Sequence, residues 1–223
     1  MPTATIAAPQ PSRNGRTVIV LPGRADNLDG LRAAGIAEAI QAGDPHAEVI
    51  LAGATIEYYM DGGLVRRLHD QIIAPARARG AQEIWLAGAS LGGMGALIYE
   101  HEHPGELDGL LLLAPYLGEK DLIKEIADAG GPLHWDPGPV PAELTRDNVP
   151  REEWRVNKSW GTRPELARRV WLVCGDEDRF ITAARLVAPL LPADHFLERS
   201  GGHAWIVWNP GAREVFARLS AEH

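Results

Sequence analysis

One pentapeptide, Gly88-Ala89-Ser90-Leu91-Gly92, carries the clearest chemical signal in this sequence. It follows an apolar run at residues 83–87 and precedes a segment of helical character, so the serine lies at a turn between a strand and a helix. Such a turn exposes the hydroxyl at the carboxyl end of a sheet and points the positive end of the helix dipole at a developing oxyanion. The pattern predicts that Ser90 is a nucleophile.

Two other interpretations of this glycine-rich turn are open. A serine can stand by chance at a glycine-rich helix start. A dinucleotide-binding loop also joins a strand to a helix, but residues 88–93 lack its first G-x-G, and no acidic residue ends the next strand. The strand–turn–helix context favours the nucleophile.

With this motif in this context, the chain resembles the α/β-hydrolase family over roughly residues 17–220. The resemblance implies a parallel sheet, a serine on this turn, an acid after a later strand and a histidine after the last strand. It implies no cofactor. The sequence supplies candidates for all three residues in that order.

The resemblance assigns the acid to Asp178, because residues 175–181 (GDEDRFI) fit the family pattern G-x-x-D-x-x-hydrophobic. Its role would be to hold the imidazole tautomer and stabilise the imidazolium. Asp178 could instead merely cap the following helix. Asp176, Glu177 and Glu119 are competing carboxylates, Glu119 because some relatives draw the acid from the preceding strand.

The histidine falls at His203, in the segment SGGH at residues 200–203 directly after the last predicted strand. It is the expected general base. His101 and His103 are spaced i, i+2 on one predicted helix and do not face a common ligand, so no metal site is predicted. Three further histidines are interpreted as packing or surface residues: His69, His134 and His195.

An oxyanion hole requires two backbone N–H groups. One is expected from Leu91 and the other from the loop after the first strand, where relatives usually carry His-Gly-x. Here Pro22 replaces the histidine and Gly23 is kept, so Arg24 supplies the expected N–H, with Ala25 as the alternative.

Arg24 would also bring a guanidinium to the mouth of the site, where it could bind an acidic substrate group bidentately. The alternative is a surface ion pair with Asp26 or Asp29. Aromatic side chains could line a pocket or simply fill a small core, and the candidates for the pocket are Tyr116, Trp135 and Trp205.

The elements that position these residues follow from hydrophobic patterning. Nearly continuous apolar runs predict parallel strands covered on both faces, at residues 17–21, 48–52, 83–87, 109–113, 170–174 and 195–198. Helices are predicted at residues 28–41, 63–79 (kinked or shortened at Pro75), 90–102, 182–191 and 209–221. The fold class is therefore α/β, with a doubly wound, mostly parallel sheet of about six strands and helices on both faces.

Residues 1–16 are expected to form a flexible arm and residues 17–223 a single domain. A glycine- and proline-rich insertion at about residues 118–164 is interpreted as a small lid.

Composition excludes several classes of protein. The single cysteine, Cys174, rules out a disulfide scaffold and is expected to be a buried strand residue. A net charge of −8 argues against a nucleic-acid partner. No apolar block suits a signal peptide or a membrane span, so a cytoplasmic location is expected. The sequence does not indicate an oligomeric state.

The expected function is hydrolysis of a carboxylic ester or thioester of a small-molecule acyl substrate through an acyl-enzyme. A peptidase, lysophospholipase or C–C bond hydrolase of the same fold remains open, as does a catalytically silent acyl-binding protein.

Overall fold

The computed structural model describes residues 1–11, 15–145 and 147–222. Its strands are β1 (Thr3–Ile6), β2 (Arg16–Leu21), β3 (Glu48–Ala52), β4 (Glu83–Ala89), β5 (Gly109–Leu113), β6 (Val170–Gly175) and β7 (Phe196–Arg199). They form one sheet in the order β1-β3-β2-β4-β5-β6-β7, in which β1 is antiparallel to β3 and every other neighbouring pair is parallel. The predicted α/β fold with a mostly parallel sheet is confirmed.

The six predicted strands all form, with ends that differ by at most two residues. The central strands β2, β5 and β6 are buried along their whole length. This is why they read as continuous apolar runs in the sequence, since both faces of a strand in such a sheet are covered by helices. The carboxyl ends of β4, β6 and β7 therefore meet at one edge.

The N-terminal segment differs from the prediction. Residues 3–6 are not a flexible arm but form the edge strand β1, whose Thr3 lies opposite Ala52 and whose Ile6 lies opposite Val49. The pairing uses backbone hydrogen bonds to a strand more than 40 residues away, and a four-residue strand leaves almost no local pattern. Residues 12–14, also in the predicted arm, lie outside the described part of the chain.

Eleven α-helices are assigned in the described residues: α1 (Leu28–Ala34), α2 (Ile36–Gly43), α3 (Ile56–Met60), α4 (Leu64–Leu68), α5 (Ala74–Ala78), α6 (Leu91–Glu102), α7 (Lys120–Asp128), α8 (Val149–Ser159), α9 (Pro164–Ala167), α10 (Ile181–Val187) and α11 (Trp205–Ala221). A π-helical turn, His69–Ile73, joins α4 to α5, and a 3₁₀ turn, Ala188–Leu190, follows α10. None of these helices is long and apolar enough to cross a membrane.

Three helix predictions need correction. The helix predicted at 28–41 is interrupted at Gly35, whose φ of 71° ends α1 and starts α2. The predicted kink at Pro75 is instead a π turn just before it, which accommodates a residue that has no N–H to donate. The last helix starts at Trp205 rather than Asn209, and Pro210 lies inside it.

The insertion at 118–164 contains α7 and α8. Helix α8 packs against α6, and α7 packs against α10. Trp154 joins α8 to the segment that follows β5, because its buried Nε1–H donates to the Leu117 carbonyl at 2.7 Å. Trp135 is also buried, and its Nε1–H donates to Glu125 at 2.7 Å.

Candidate active site

Ser90 stands between β4 and α6 with φ 53° and ψ −112°, a backbone conformation that non-glycine residues rarely adopt. Its N–H donates to the Leu113 carbonyl at 2.9 Å, and its carbonyl accepts from Tyr116 N–H at 2.9 Å and Gly93 N–H at 3.0 Å. These bonds tie the turn to the end of β5, to the segment that follows β5 and to the first turn of α6. They hold a conformation that costs about 1–3 kcal/mol on its own.

The two glycines that flank Ser90 are required by close backbone contacts. A Cβ on Gly88 would lie 2.1 Å from the Gly92 carbonyl oxygen, and a Cβ on Gly92 would lie 2.6 Å from the Leu21 carbonyl oxygen. Neither contact can relax by moving a flexible side chain. The G-x-S-x-G spacing is thus a packing requirement of the turn.

His203 and Asp178 are in direct contact. The Nδ1 atom of His203 lies 2.8 Å from Oδ2 and 2.9 Å from Oδ1 of Asp178. An ionised carboxylate only accepts hydrogen bonds, so this contact favours the proton on Nδ1 and leaves Nε2 as the basic atom. Asp178 is 3% exposed, and its Oδ1 also accepts the Phe180 N–H at 2.8 Å.

The competing carboxylates lie elsewhere. Glu119 accepts the Tyr116 hydroxyl at 2.7 Å. Asp176 accepts the Gly201 N–H at 2.8 Å and so shapes the loop that carries His203. Glu177 is exposed. Of these four acids, Asp178 is the one that forms a hydrogen bond to His203.

The loop of His203 is positioned by backbone packing. A Cβ on Gly175 would lie 2.1 Å from the Gly201 carbonyl oxygen, and Gly201 itself has φ 120°. Only glycines allow the end of β6 and this loop to approach so closely. The imidazole then packs edge-on against Phe180, at 5.2 Å between ring centroids, and Trp208, at 4.7 Å.

Ser90 and His203 line the same open cleft, which has a volume of about 590 Å³. The other lining residues are Gly23, Arg24, Ala25, Asp26, Arg179, Ala204, Trp205 and Trp208. They come from the loop after β2, the acid loop and the start of α11. None of the cleft-lining residues belongs to the described part of the predicted lid.

Of the four residues predicted to line a pocket, two line this cleft and two do not. Arg24 and Trp205 line the cleft. Tyr116 is not among the residues that line it, and the centroid of its ring lies 5.7 Å from that of Phe180. Trp135 is not brought to the cleft, because it is 2% exposed within the insertion and its ring lies beneath the Arg151 guanidinium at 5.3 Å.

Sequence reasoning missed Arg179 and Trp208 as cleft residues. The position of Arg179, directly after Asp178 in the sequence, could have indicated that it lies at the cleft. Trp208 was not recognised because the last helix was predicted to start at Asn209, one residue after it. With α11 beginning at Trp205, Trp205 and Trp208 are one turn apart and share a helix face.

The loop after β2 lies against Ser90. A Cβ on Gly23 would be 3.6 Å from the Ser90 Cβ, and the Asp26 N–H donates to the Gly23 carbonyl at 3.1 Å. The loop is therefore a tight turn that presents Arg24 and Ala25 beside the serine. Leu91, the first residue of α6, is adjacent on the other side.

Cys174 lies in β6 and is fully buried. Burial, with a smaller contribution from the charge of Asp178, raises the pKa of its thiol to about 12. The thiol is therefore uncharged at neutral pH and suits a packing role.

This fold and this arrangement define an α/β hydrolase, as the sequence resemblance implied. The chain belongs to an esterase family: the family described as "Putative esterase" matches residues 64–211, more than half of the chain. That range contains Ser90 and Asp178 as well as His203. Among proteins of curated function, none matches the sequence significantly.

Solved structures share the fold at low sequence identity. An S-formylglutathione hydrolase from Staphylococcus aureus has a TM-score of 0.61 and 13% identity, over 95% of this chain and 82% of that one. Est1E from Butyrivibrio proteoclasticus has a TM-score of 0.61 and 18% identity, over 99% of this chain and 93% of that one. A monoacylglycerol lipase from Paleococcus ferrophilus has a TM-score of 0.57 and 16% identity, over 99% of this chain and 98% of that one. These likenesses bear on the fold and leave the substrate open.

Proposed function

We propose that the protein is a serine hydrolase that cleaves a carboxylic ester or thioester through an acyl-enzyme intermediate. The observation that carries the proposal is that His203, hydrogen-bonded to the buried Asp178, lines a single cleft together with the strained Ser90. A serine hydroxyl is a weak nucleophile at neutral pH, so an adjacent base held in the right tautomer is what activates it.

In the proposed reaction Ser90 Oγ attacks the substrate carbonyl carbon while His203 Nε2 takes its proton. The Leu91 and Arg24 N–H groups stabilise the tetrahedral oxyanion, with Ala25 as the alternative to Arg24. His203 then returns the proton to the leaving oxygen or sulfur. Water, deprotonated by the same nitrogen, then attacks the acyl-enzyme, and His203 returns that proton to Ser90 Oγ as the bond to the acyl group breaks and the acid leaves.

A fluorophosphonate probe tests the proposal. The probe should form a covalent adduct located by mass spectrometry on Ser90, and Ser90→Ala should give no adduct while keeping its fold. In parallel, hydrolysis should be measured with p-nitrophenyl esters, acyl thioesters and a feruloyl ester, since proteins of similar structure are described as an S-formylglutathione hydrolase and a ferulic acid esterase. A folded wild-type protein with neither labelling nor turnover would indicate a silent acyl-binding protein instead.

Charge in the cleft suggests the substrate class. Arg24 and Arg179 both line it, and among the described residues neither guanidinium has an ion-pair partner, although Arg179 packs over the Phe180 ring at 4.9 Å. Asp26 is the acidic residue among those that line the cleft. Its Oδ2 accepts the Trp205 Nε1–H at 3.2 Å and its Oδ1 accepts the Asn27 N–H at 3.0 Å. We propose a substrate that carries a carboxylate near its ester.

Arg24→Ala should lower kcat/KM for carboxylate-bearing esters by about tenfold more than for neutral ones, because a charge-assisted contact is lost. Suitable pairs are monomethyl adipate with methyl hexanoate, and 3-carboxyphenyl acetate with phenyl acetate. Arg168→Ala, at an exposed position before β6 and away from the cleft, is the control. Equal losses on charged and neutral esters would contradict anion recognition by Arg24.

A further inference from the structure

A second cluster of chemically active side chains lies at the end of the sheet opposite the cleft. It contains His69 on the π turn, His103 directly after α6, and Glu106 in the loop that leads to β5. Helix α6 separates it from Ser90 by about 18 Å, because its 12 residues each rise about 1.5 Å. The cluster is therefore not part of the proposed active site.

The potential ligand atoms of these three residues converge. One nitrogen from each histidine and one carboxylate oxygen of Glu106 all lie within 4.8 Å of one another. His69 Nε2 is 3.5 Å from Glu106 Oε1, and His103 Nδ1 is 3.3 Å from Glu106 Oε2. Each side chain is about one-third exposed, so an ion can reach the cluster from solvent.

Two further residues orient these groups from outside. His69 Nδ1 lies 2.9 Å from Asp70 Oδ1, and the Tyr99 hydroxyl donates to Glu106 Oε2 at 2.6 Å. A carboxylate that accepts from Nδ1 favours the imidazole proton on that nitrogen, which leaves Nε2, the atom near Glu106, as the ligand atom. The carboxylate–histidine pair is the usual outer support of a metal-binding imidazole.

The two imidazole rings are stacked with their centroids 5.1 Å apart, and both present a nitrogen to the same Glu106 carboxylate. One divalent cation between the three ligand atoms satisfies all of them at once.

We propose that His69, His103 and Glu106 form a binding site for a divalent transition metal, with Zn²⁺ as the best match. Two imidazoles and one carboxylate suit Zn²⁺, which would take water as a fourth ligand. Bound metal would join the π turn to the end of α6 and the loop before β5, and so stabilise this end of the sheet.

This site could not be predicted from the sequence, because His69 and His103 are 34 residues apart and their spacing matches no metal-binding motif. The i, i+2 pair His101 and His103 suggested that no common ligand exists. The structure gives His103 a different partner, His69, from a helix that precedes β4.

Zinc binding by the full-length, tag-free protein tests the proposal. Isothermal titration with ZnCl₂ should give one site, lost in His103→Ala, weakened about 10–100-fold in Asp70→Asn, and retained in His134→Ala, which removes an exposed histidine of the insertion. At a hundredfold excess of zinc over its Kd, the melting temperature should rise by roughly 5–10 °C in the wild type and not in His103→Ala.

Two results would overturn the proposal. One is the absence of saturable zinc binding to folded wild-type protein at micromolar concentration. The other is equal affinity of the wild type and His103→Ala, which would assign the zinc to another site, such as His203 with Asp178. A His203→Ala variant that still binds one zinc ion supports the proposed site directly.

Discussion

Asp178→Asn should lower kcat for a p-nitrophenyl ester by about 10⁴-fold, with little change in fold. An asparagine amide can donate to His203 Nδ1, and this places the imidazole proton on Nε2, the atom that must accept the Ser90 proton. The asparagine Oδ1 can still accept the Phe180 N–H, now bonded to Asp178 at 2.8 Å, so the loop should persist. Initial-rate kinetics and thermal melts of the two proteins measure the two effects.

Glu119→Gln is the matched control, since Glu119 was the alternative acid. Its carboxylate accepts the Tyr116 hydroxyl at 2.7 Å, and glutamine can keep that bond. We expect activity within a few-fold of the wild type. A loss in Glu119→Gln comparable with that in Asp178→Asn would contradict the assignment of the acid.

Glu153→Gln should abolish a large pH dependence of stability. Glu153 lies on α8 against α6, is 4% exposed, and has an Oε2 atom with no hydrogen-bond partner among the described residues. Its burial, reinforced by the charges of Glu102 and Glu152, raises the pKa of this carboxyl from 4.5 to about 8. Among the described residues, His101 is the basic group within ion-pair distance, with its Nδ1 4.0 Å from Oε1 of Glu153.

The direction of this pH dependence is set by which state of the protein, folded or unfolded, binds the Glu153 proton more tightly. Glu153 is protonated in the folded protein up to about pH 8, whereas in the unfolded chain it ionises near the ordinary glutamate pKa of 4.5. The stability it contributes is fully present below pH 4.5 and is lost as the pH rises through about 8. Between these values the free energy of unfolding should fall by up to about 1.4 kcal/mol per pH unit.

Urea unfolding at pH 6, 7 and 8 measures this slope. The difference in stability between wild type and Glu153→Gln should shift in favour of the variant by roughly 2–3 kcal/mol over these two units. Glu143→Gln, the same substitution at an exposed position of the insertion, should leave the slope unchanged. Parallel pH curves for wild type and Glu153→Gln would show that the carboxyl is already ionised in the folded protein.

Local sequence was sufficient for the elements that build the site. The apolar runs of β2 to β7 and the G-x-S-x-G turn depend on contacts along the strand and on glycines at fixed offsets, both of which are visible in the primary structure. The order of Ser90, Asp178 and His203 was implied by the family resemblance. The structure brings Asp178 and His203 within hydrogen-bonding distance and presents His203 to the cleft of Ser90.

Non-local pairing was decided only by the tertiary structure. Strand β1 exists because β3 offers it an edge, and Trp135 lies in the core of the insertion because Glu125 and Arg151 hold it there. Nothing in the spacing of these residues encodes the partner. The same holds for His69 and His103, whose meeting depends on how two helices pack.

The sequence by itself thus determined the fold class, the G-x-S-x-G turn and the candidates for the acid and the base, because each rests on a periodic or short-range pattern or on the family resemblance. The tertiary structure decided which acid reaches His203, which aromatic and charged side chains line the cleft, and which histidines meet at the opposite end of the sheet. These depend on contacts between residues far apart in the chain, and such contacts arise only when the helices and strands pack together.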